Sequence, residues 1–485
     1  MIRNGEKKTG TNRKRWTSWS KPLMLAIAAC MTLFPANAIR ASAEEPANPY
    51  MEMIRNHANN RSEWKAWMRE NANPIASVPT RDKDEFADLQ FLKPLLQNQR
   101  IVMLGESSHG VKEFNSVKAR LVRFLHQELG FDVVAFESGW ADAYAVNAQA
   151  TSLSGLEMMK KSIFPVWHTK EVQSLFEYIR KQAETDHPLE LAGVDMQPMN
   201  AFTDYIKKWL AEVDKKQAEK WNKLEDNYSD AVYSPELTWD ELKKKRPEWI
   251  QGYEELKKFV RLRRVELSAA RPDRPELASI LERAIDERIR VLNDFAEART
   301  WLYSQDEKTF EIPTSVNDNF NYIRDLAMAE HLTWLAEEMY PDKKIIVWGH
   351  NYHLRKQNTS VQDDLLYMGL PMPTLGELLP DRLKDQVYSV GLYMYQGETA
   401  SNTREAVKVQ SPHDPGSLEA IMKLAGRDAV FVDMKHQRPN VGNAWMFTPR
   451  KSLYWGMLEE TFVPRNQYDG IIWIDTAHLP DYIDS

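Results

Sequence analysis

Short apolar runs alternate along this chain with longer stretches of helical period. "RIVML" at Arg100–Leu104 is an apolar run of strand length that stops at Gly105. From Lys112 to Leu129 the apolar residues Phe114, Val117, Leu121, Phe124, Leu125 and Leu129 recur at the three- and four-residue steps of one helix face. Gly130 is the expected stop. "FDVVAFE" then reads as a strand ending at Glu137. Strand, helix and strand in this spacing predict a βαβ unit with its two strands parallel. Further strands are expected at 189–195, 343–350, 386–395, 428–434 and 470–476, all apolar enough to be covered on both faces. The pattern predicts an α/β fold with a mostly parallel central sheet flanked by helices.

Between about 200 and 335 the pattern changes to long amphipathic helices rich in Lys, Glu and Arg. These read as a helical insertion beside the sheet. The apolar spacing is too irregular for the sustained heptads of a coiled coil. Residues 44–84 read as polar lead-in helices carrying Trp64 and Trp67, ahead of an α/β body over 85–480.

The first 43 residues read as an export signal. Arg3, Lys7, Lys8, Arg13, Lys14, Arg15 and Lys21 precede the apolar "PLMLAIAACMTLFPANA", and "ASA" at 41–43 has the small-x-small cleavage pattern. The alternatives are an uncleaved anchor and a lipoprotein at Cys30, which sits in "IAAC". Cys30 is the chain's single cysteine. Cleavage at Ala43 leaves no disulfide and no thiol chemistry in an exported bacterial protein. Beyond the leader no stretch is apolar for the roughly 20 residues of a membrane span, so no stable span is expected after cleavage. The net charge of −7 over 485 residues gives no basic face for nucleic acid.

The chemistry-bearing residues gather at strand ends. Glu106 and His109 follow the first strand, Glu137 ends the second, Asp195 the third, His350 and His353 follow "IIVW", and Asp475 ends the last. Ligands of an open parallel sheet bind beyond these carboxyl ends. An acid three residues before a histidine is weak evidence alone. It occurs four times, at Glu106/His109, Glu184/His187, Asp433/His436 and Asp475/His478, against roughly 1.6 expected from composition. Convergence on one edge is the stronger argument. No Gly-x-Ser-x-Gly elbow, His-Glu-x-x-His, Walker loop or Gly-x-Gly-x-x-Gly occurs. Ser107 and Ser108 read as turn hydroxyls, with a nucleophile as the alternative. A histidine flanked by carboxylates is suited to act as general base on water. His168 reads as a local structural residue and His126 as a mid-helix surface residue.

The ordered motifs resemble the erythromycin esterase family. Its opening Gly-Glu-x-(Ser/Thr)-His-Gly, followed by Glu-Phe, is present as Gly105, Glu106, Ser108, His109, Gly110, Glu113 and Phe114. "VVAFESGW" carries Glu137 and Trp140, "GVDMQP" carries Asp195, "IRDLAMAEHLTWL" carries Arg324, Asp325 and Met328, "WGHNYH" carries His350, Asn351 and His353, and "YDGIIWIDT" matches the C-terminal strand. The resemblance implies a deep cleft with the helical insertion on one side. It implies His109 as the base that activates water, Glu106 and Glu137 in the same site, and His350 and His353 assisting. Lys118, Arg324, Asp195 and Trp140 become candidate substrate contacts. Resistance-type members carry Arg nine residues after the motif histidine, where this chain has Lys118. Lysine is a point charge where arginine is a planar fork; Lys118 is either a substrate-side cation or a solvated helix residue. Arg324 is either a site residue or a core ion pair.

The implied activity is hydrolysis of a carboxylic ester, the family's prototype being opening of a macrolide lactone, with a small-molecule substrate and no covalent intermediate. No cofactor is expected, and a divalent metal stays open. Two alternatives accompany it: a non-catalytic metal- or haem-binding exported protein on the same fold, and a hydrolase of a different cell-surface ester.

Overall fold

The computed structural model describes residues 60–76, 86–305, 311, 313–362 and 371–483. The leader, with Cys30, and most of the lead-in segment lie outside the described residues. The strands are β1 (Asn73–Pro74), β2 (Ile101–Leu104), β3 (Phe131–Gly139), β4 (Glu190–Asp195), β5 (Lys344–Trp348), β6 (Val387–Ala400), β7 (Ala406–Lys408), β8 (Ala429–Asp433), β9 (Arg450–Tyr454), β10 (Leu458–Phe462) and β11 (Gly470–Ala477). Nine form one sheet in the order β1-β8-β11-β6-β2-β5-β3-β4, with β7 on β6; β9 and β10 form a separate hairpin.

β2, β3, β4, β5, β6 and β11 run parallel. β2 and β3 are parallel as their spacing predicts, but β5 lies between them. β8 is antiparallel to β11 and is edged by β1. A short apolar run carries no direction, so its sequence resembles its parallel neighbours. Helix Lys112–Leu129 covers one face through Phe114, Val117, Leu121, Phe124 and Leu125, and ends where Gly130 takes φ 66°. Helix Phe320–Trp334 covers the other through Met328 and Leu332.

The helices from Ala201 to Tyr303 form a layer with its own core, built on Trp209, Trp221, Tyr228, Tyr253 and Phe295. This layer meets the loop after β4, where Tyr228 Oη donates to the Met196 carbonyl at 2.8 Å and Tyr233 Oη to the Pro198 carbonyl at 3.0 Å. Helix Arg61–Asn71 packs Trp64 and Trp67 against Trp445 and Trp473. Among the described residues no helix is long and apolar enough to cross a membrane.

Candidate active site

The turn after β2 is shaped by close backbone approach. A Cβ on Gly105 would lie 2.2 Å from Asn351 Oδ1, and one on Gly110 2.3 Å from the Ala400 carbonyl oxygen. Asn351 uses the space at Gly105 to continue the sheet. Its Nδ2 donates to the Leu392 carbonyl at 3.0 Å, and its Oδ1 accepts from the Leu392 amide at 3.2 Å. The Asn351 amide donates to Glu106 O at 2.8 Å. The loops after β2 and β5 are thereby fixed to each other and to β6.

Glu106 is fully buried. Its Oε1 lies 2.7 Å from His109 Nδ1 and accepts from Trp167 Nε1 at 2.7 Å. Its Oε2 accepts from Lys118 Nζ, also at 2.7 Å. Burial alone would raise its pKa, but Lys118 and His109 outweigh burial and hold it below the ordinary carboxylate value. The carboxylate therefore fixes the His109 tautomer, with the proton on Nδ1 and the lone pair on Nε2. Among the described residues nothing hydrogen-bonds that Nε2. The ring stands between Trp167 at 4.8 Å, His350 at 5.0 Å and Trp455 at 5.3 Å.

His350 has the opposite tautomer. Its Nδ1 accepts from the Tyr352 amide at 3.1 Å, leaving the proton on Nε2. Burial, then the nearby His109, push its pKa well below the ordinary imidazole value. Its Nε2 is buried with no hydrogen-bond partner among the described residues, although the Ser107 backbone is near enough to act on it. The neutral His350 ring, with its proton on Nε2, stands beside the His109 ring, their centres 5.0 Å apart.

Glu137 accepts from Arg324 Nη2 at 2.9 Å and from the His350 amide at 2.8 Å, and lies 3.2 Å from His353 Nε2. His353 Nδ1 lies 2.8 Å from Asp325 Oδ1. Burial works against the charge, yet Asp325 and Glu137 raise His353 to about 9, so it is an imidazolium at neutral pH. Arg324 donates to Asp195 Oδ2 through Nε at 3.0 Å and Nη2 at 2.6 Å. Glu137 is in turn held well below the ordinary carboxylate value, against burial, by His353 and Arg324.

The structure brings Glu106, His109, Glu137, His350, His353, Arg324 and Asp195 into one network. Asp195 is fully buried beneath Arg324. Arg324 is an ion-pair residue, joined to Glu137 and Asp195. Lys118 is not a solvated helix residue: it is fully buried, with Nζ on Glu106, 3.4 Å from Gly349 O and 4.2 Å from the Trp348 ring centre. Burial pushes its pKa down to about 8 against the pull of Glu106. Trp140 faces the helical layer, where its Nε1 donates to Glu287 Oε2 at 2.7 Å. Asp475 pairs with Lys423 at 3.0 Å, outside the network. Ser108 Oγ bonds Thr399 Oγ1 at 2.6 Å, and Ser107 Oγ is buried with no partner. His168 Nε2 meets the Ile163 carbonyl at 2.9 Å, a structural bond. His126 is buried, at 1% exposure, and is not a surface residue.

Two aromatic walls escaped sequence reasoning. Trp167 stands next to the histidine that drew attention in "PVWHTKE". Trp455 is at the tip of the β9–β10 hairpin, whose three-residue loop carries φ values of 55° at Trp455 and 72° at Gly456. A tryptophan in the left-handed region is a strained choice, and here it stacks on His350 at 5.2 Å. The dipeptide Trp-Gly between two β-rich runs was the available signal.

The fold and these side chains define an α/β protein in which a carboxylate-held histidine, His109, follows a central strand of a mostly parallel sheet. The chain belongs to the erythromycin esterase family, whose profile matches residues 126–477. That span begins after the Glu106/His109 turn. YbfO of Bacillus subtilis (strain 168), provisionally named as a hydrolase, is 40% identical over 415 residues, covering 85% of this chain and 90% of that protein. Erythromycin esterase type II of Escherichia coli is 23% identical over 420 residues, covering 82% of this chain and 95% of its own. The crystal structure of a Bacillus cereus protein superposes with a TM-score of 0.66 at 20% identity, covering 88% of this chain and all of that one.

Proposed function

We propose that this protein is a carboxylic-ester hydrolase in which His109 activates water for direct attack, with a macrolide lactone as the first substrate to test. The observation that carries the reading is the Glu106–His109 contact at 2.7 Å beside the buried, partnerless Nε2 of His350. His109 Nε2 takes the proton of a water molecule, and Glu106 stabilises the imidazolium that forms. The new C–O bond pushes the carbonyl electrons onto oxygen. The His350 N–H, with the positive charge of His353 and Arg324 behind it, stabilises that oxyanion. Collapse expels the alkoxide, which takes the proton back from His109.

Direct attack by water is supported by the absence of an activated hydroxyl: neither Ser107 nor Ser108 has a base as hydrogen-bond partner. The donor set also argues for proton chemistry over metal chemistry at this edge. Lys118 occupies one oxygen of Glu106, and Arg324 binds both Glu137 and Asp195, so a divalent ion there would meet two fixed cations.

Export through the leader, residues 1–43, belongs to the same proposal. An exported member would meet its substrate outside the cytoplasm, where destruction of a macrolide is still protective. The test is incubation of the purified chain with erythromycin, with and without a chelator, followed by mass spectrometry. A gain of one water, unaffected by the chelator, is expected. An unchanged macrolide together with His109-dependent cleavage of a simple ester would replace the macrolide by another ester; loss of activity with the chelator would overturn the metal-free mechanism.

A further inference from the structure

The described residues contain one other concentration of ligand-type side chains. His126 lies in the last turn of helix Lys112–Leu129, Asp132 is the second residue of β3, and His187 precedes β4. One donor atom from each lies within 4.8 Å of the others. Asp132 Oδ1 and His187 Nε2 are 2.7 Å apart, and the two imidazole centres are 4.4 Å apart. Around a tetrahedral ion with bonds near 2.1 Å, donor atoms sit about 3.4 Å from each other; the two rings are stacked at 12°, so the exposed His187 ring must rotate out of the stack for both imidazoles to face one ion.

We propose that His126, Asp132 and His187 form a binding site for a divalent transition-metal ion, for which zinc is the probe. The second observation is His126 itself. It is buried at 1% exposure, yet its Nε2 makes no hydrogen bond. Its other nitrogen, Nδ1, lies 2.6 Å from Tyr178 Oη, which also accepts from Gln127 Nε2 at 3.2 Å. An oriented Nδ1 is the usual outer support of an Nε2 metal ligand. A two-imidazole, one-carboxylate set suits zinc, nickel or copper better than magnesium or calcium. The end of the helix is also the end that favours a cation.

The site lies apart from the reaction. Asp132 and Glu137 are five residues apart on β3, about 16 Å along a strand. A bound ion would tie together the helix end, the start of β3 and the loop leading to β4, which is a stabilising role.

The experiment is zinc titration of chelator-treated, dialysed protein by calorimetry, with thermal unfolding alongside. Wild type is expected to bind one zinc and to melt higher with it. Asp132→Asn and His187→Ala, at partly and largely exposed positions, are each expected to weaken binding at least about tenfold, and Tyr178→Phe about tenfold. Their ester hydrolysis is expected to match wild type. Absence of zinc binding, or a zinc affinity and melting shift unchanged in both Asp132→Asn and His187→Ala, would overturn the proposal.

Discussion

Replacement of Glu106 by glutamine tests how the base is held. The carboxylate has His109 Nδ1 and Trp167 Nε1 on one oxygen and Lys118 Nζ on the other, with no exposure to water. Glutamine supplies a single acceptor oxygen. With that oxygen toward His109 and Trp167, the amide NH2 faces the Lys118 ammonium, donor against donor. With the amide reversed, the NH2 faces Trp167 and His109, and His109 must move its proton to Nε2, which removes the base. Both arrangements also lose the negative charge that stabilises the imidazolium. Tautomer reversal of this kind lowers kcat by about 10⁴ where it has been isolated. A fall of 10³–10⁴, about 4–5.5 kcal/mol of barrier, is expected for Glu106→Gln. Lys118→Met alone leaves a buried, unpaired carboxylate and is expected to destabilise the fold by about 3–5 kcal/mol. Glu106→Gln/Lys118→Met removes both charges and is expected to regain stability relative to Lys118→Met without regaining activity. The assays are kcat/KM on an ester and denaturant unfolding. A Glu106→Gln enzyme within tenfold of wild type would refute the reasoning.

His350→Phe keeps ring volume between Trp455 and Tyr454 but removes the Nε2–H; kcat is expected to fall about 10²–10³ with KM within a few-fold, and a rise in KM alone would count against the oxyanion role. His353 is raised from the ordinary 6.5 to about 9 by Asp325 and Glu137. Its contribution to stability is therefore full below pH 6.5 and lost as pH rises through about 9. Unfolding measured from pH 6 to 10 is expected to show this loss in wild type and a flatter profile in His353→Gln. Gly105→Ala drives a methyl to 2.2 Å from Asn351 Oδ1 and is expected to destabilise by about 1–3 kcal/mol, read as a lowered unfolding midpoint.

The site edge was legible because its residues follow strands whose apolar runs are unmistakable. Glu106, His109, Glu137, His350 and His353 each sit within a few residues of such a run. Residues far off in sequence were not legible. Trp455 comes from a hairpin unrelated to the βαβ pattern, and its role depends on a positive φ that no periodicity reveals. The burial of Lys118 was hidden for a different reason. Helix Lys112–Leu129 is covered on its polar side too, so Asn115, Ser116, Lys118, Arg120 and His126 are buried with its apolar stripe, and polar spacing no longer marks solvent. Trp140 follows Glu137 closely in sequence, but the pairing of β3 shifts register between Phe136 and Gly139, and the helix that starts at Trp140 directs its indole to the helical layer. The insertion of β5 between β2 and β3 was likewise invisible, because strand order is decided by packing that local pattern does not encode.

The central claim is that the lone pair on His109 Nε2 performs the chemistry. Its most direct measurement is hydrolysis of a panel of lactones and simple esters, erythromycin included, by wild type and by His109→Ala of verified fold. Wild type is expected to add one water to at least one member, and His109→Ala to fall to the uncatalysed background. A wild-type rate in His109→Ala, or no hydrolysis of any member by wild type, would contradict that claim.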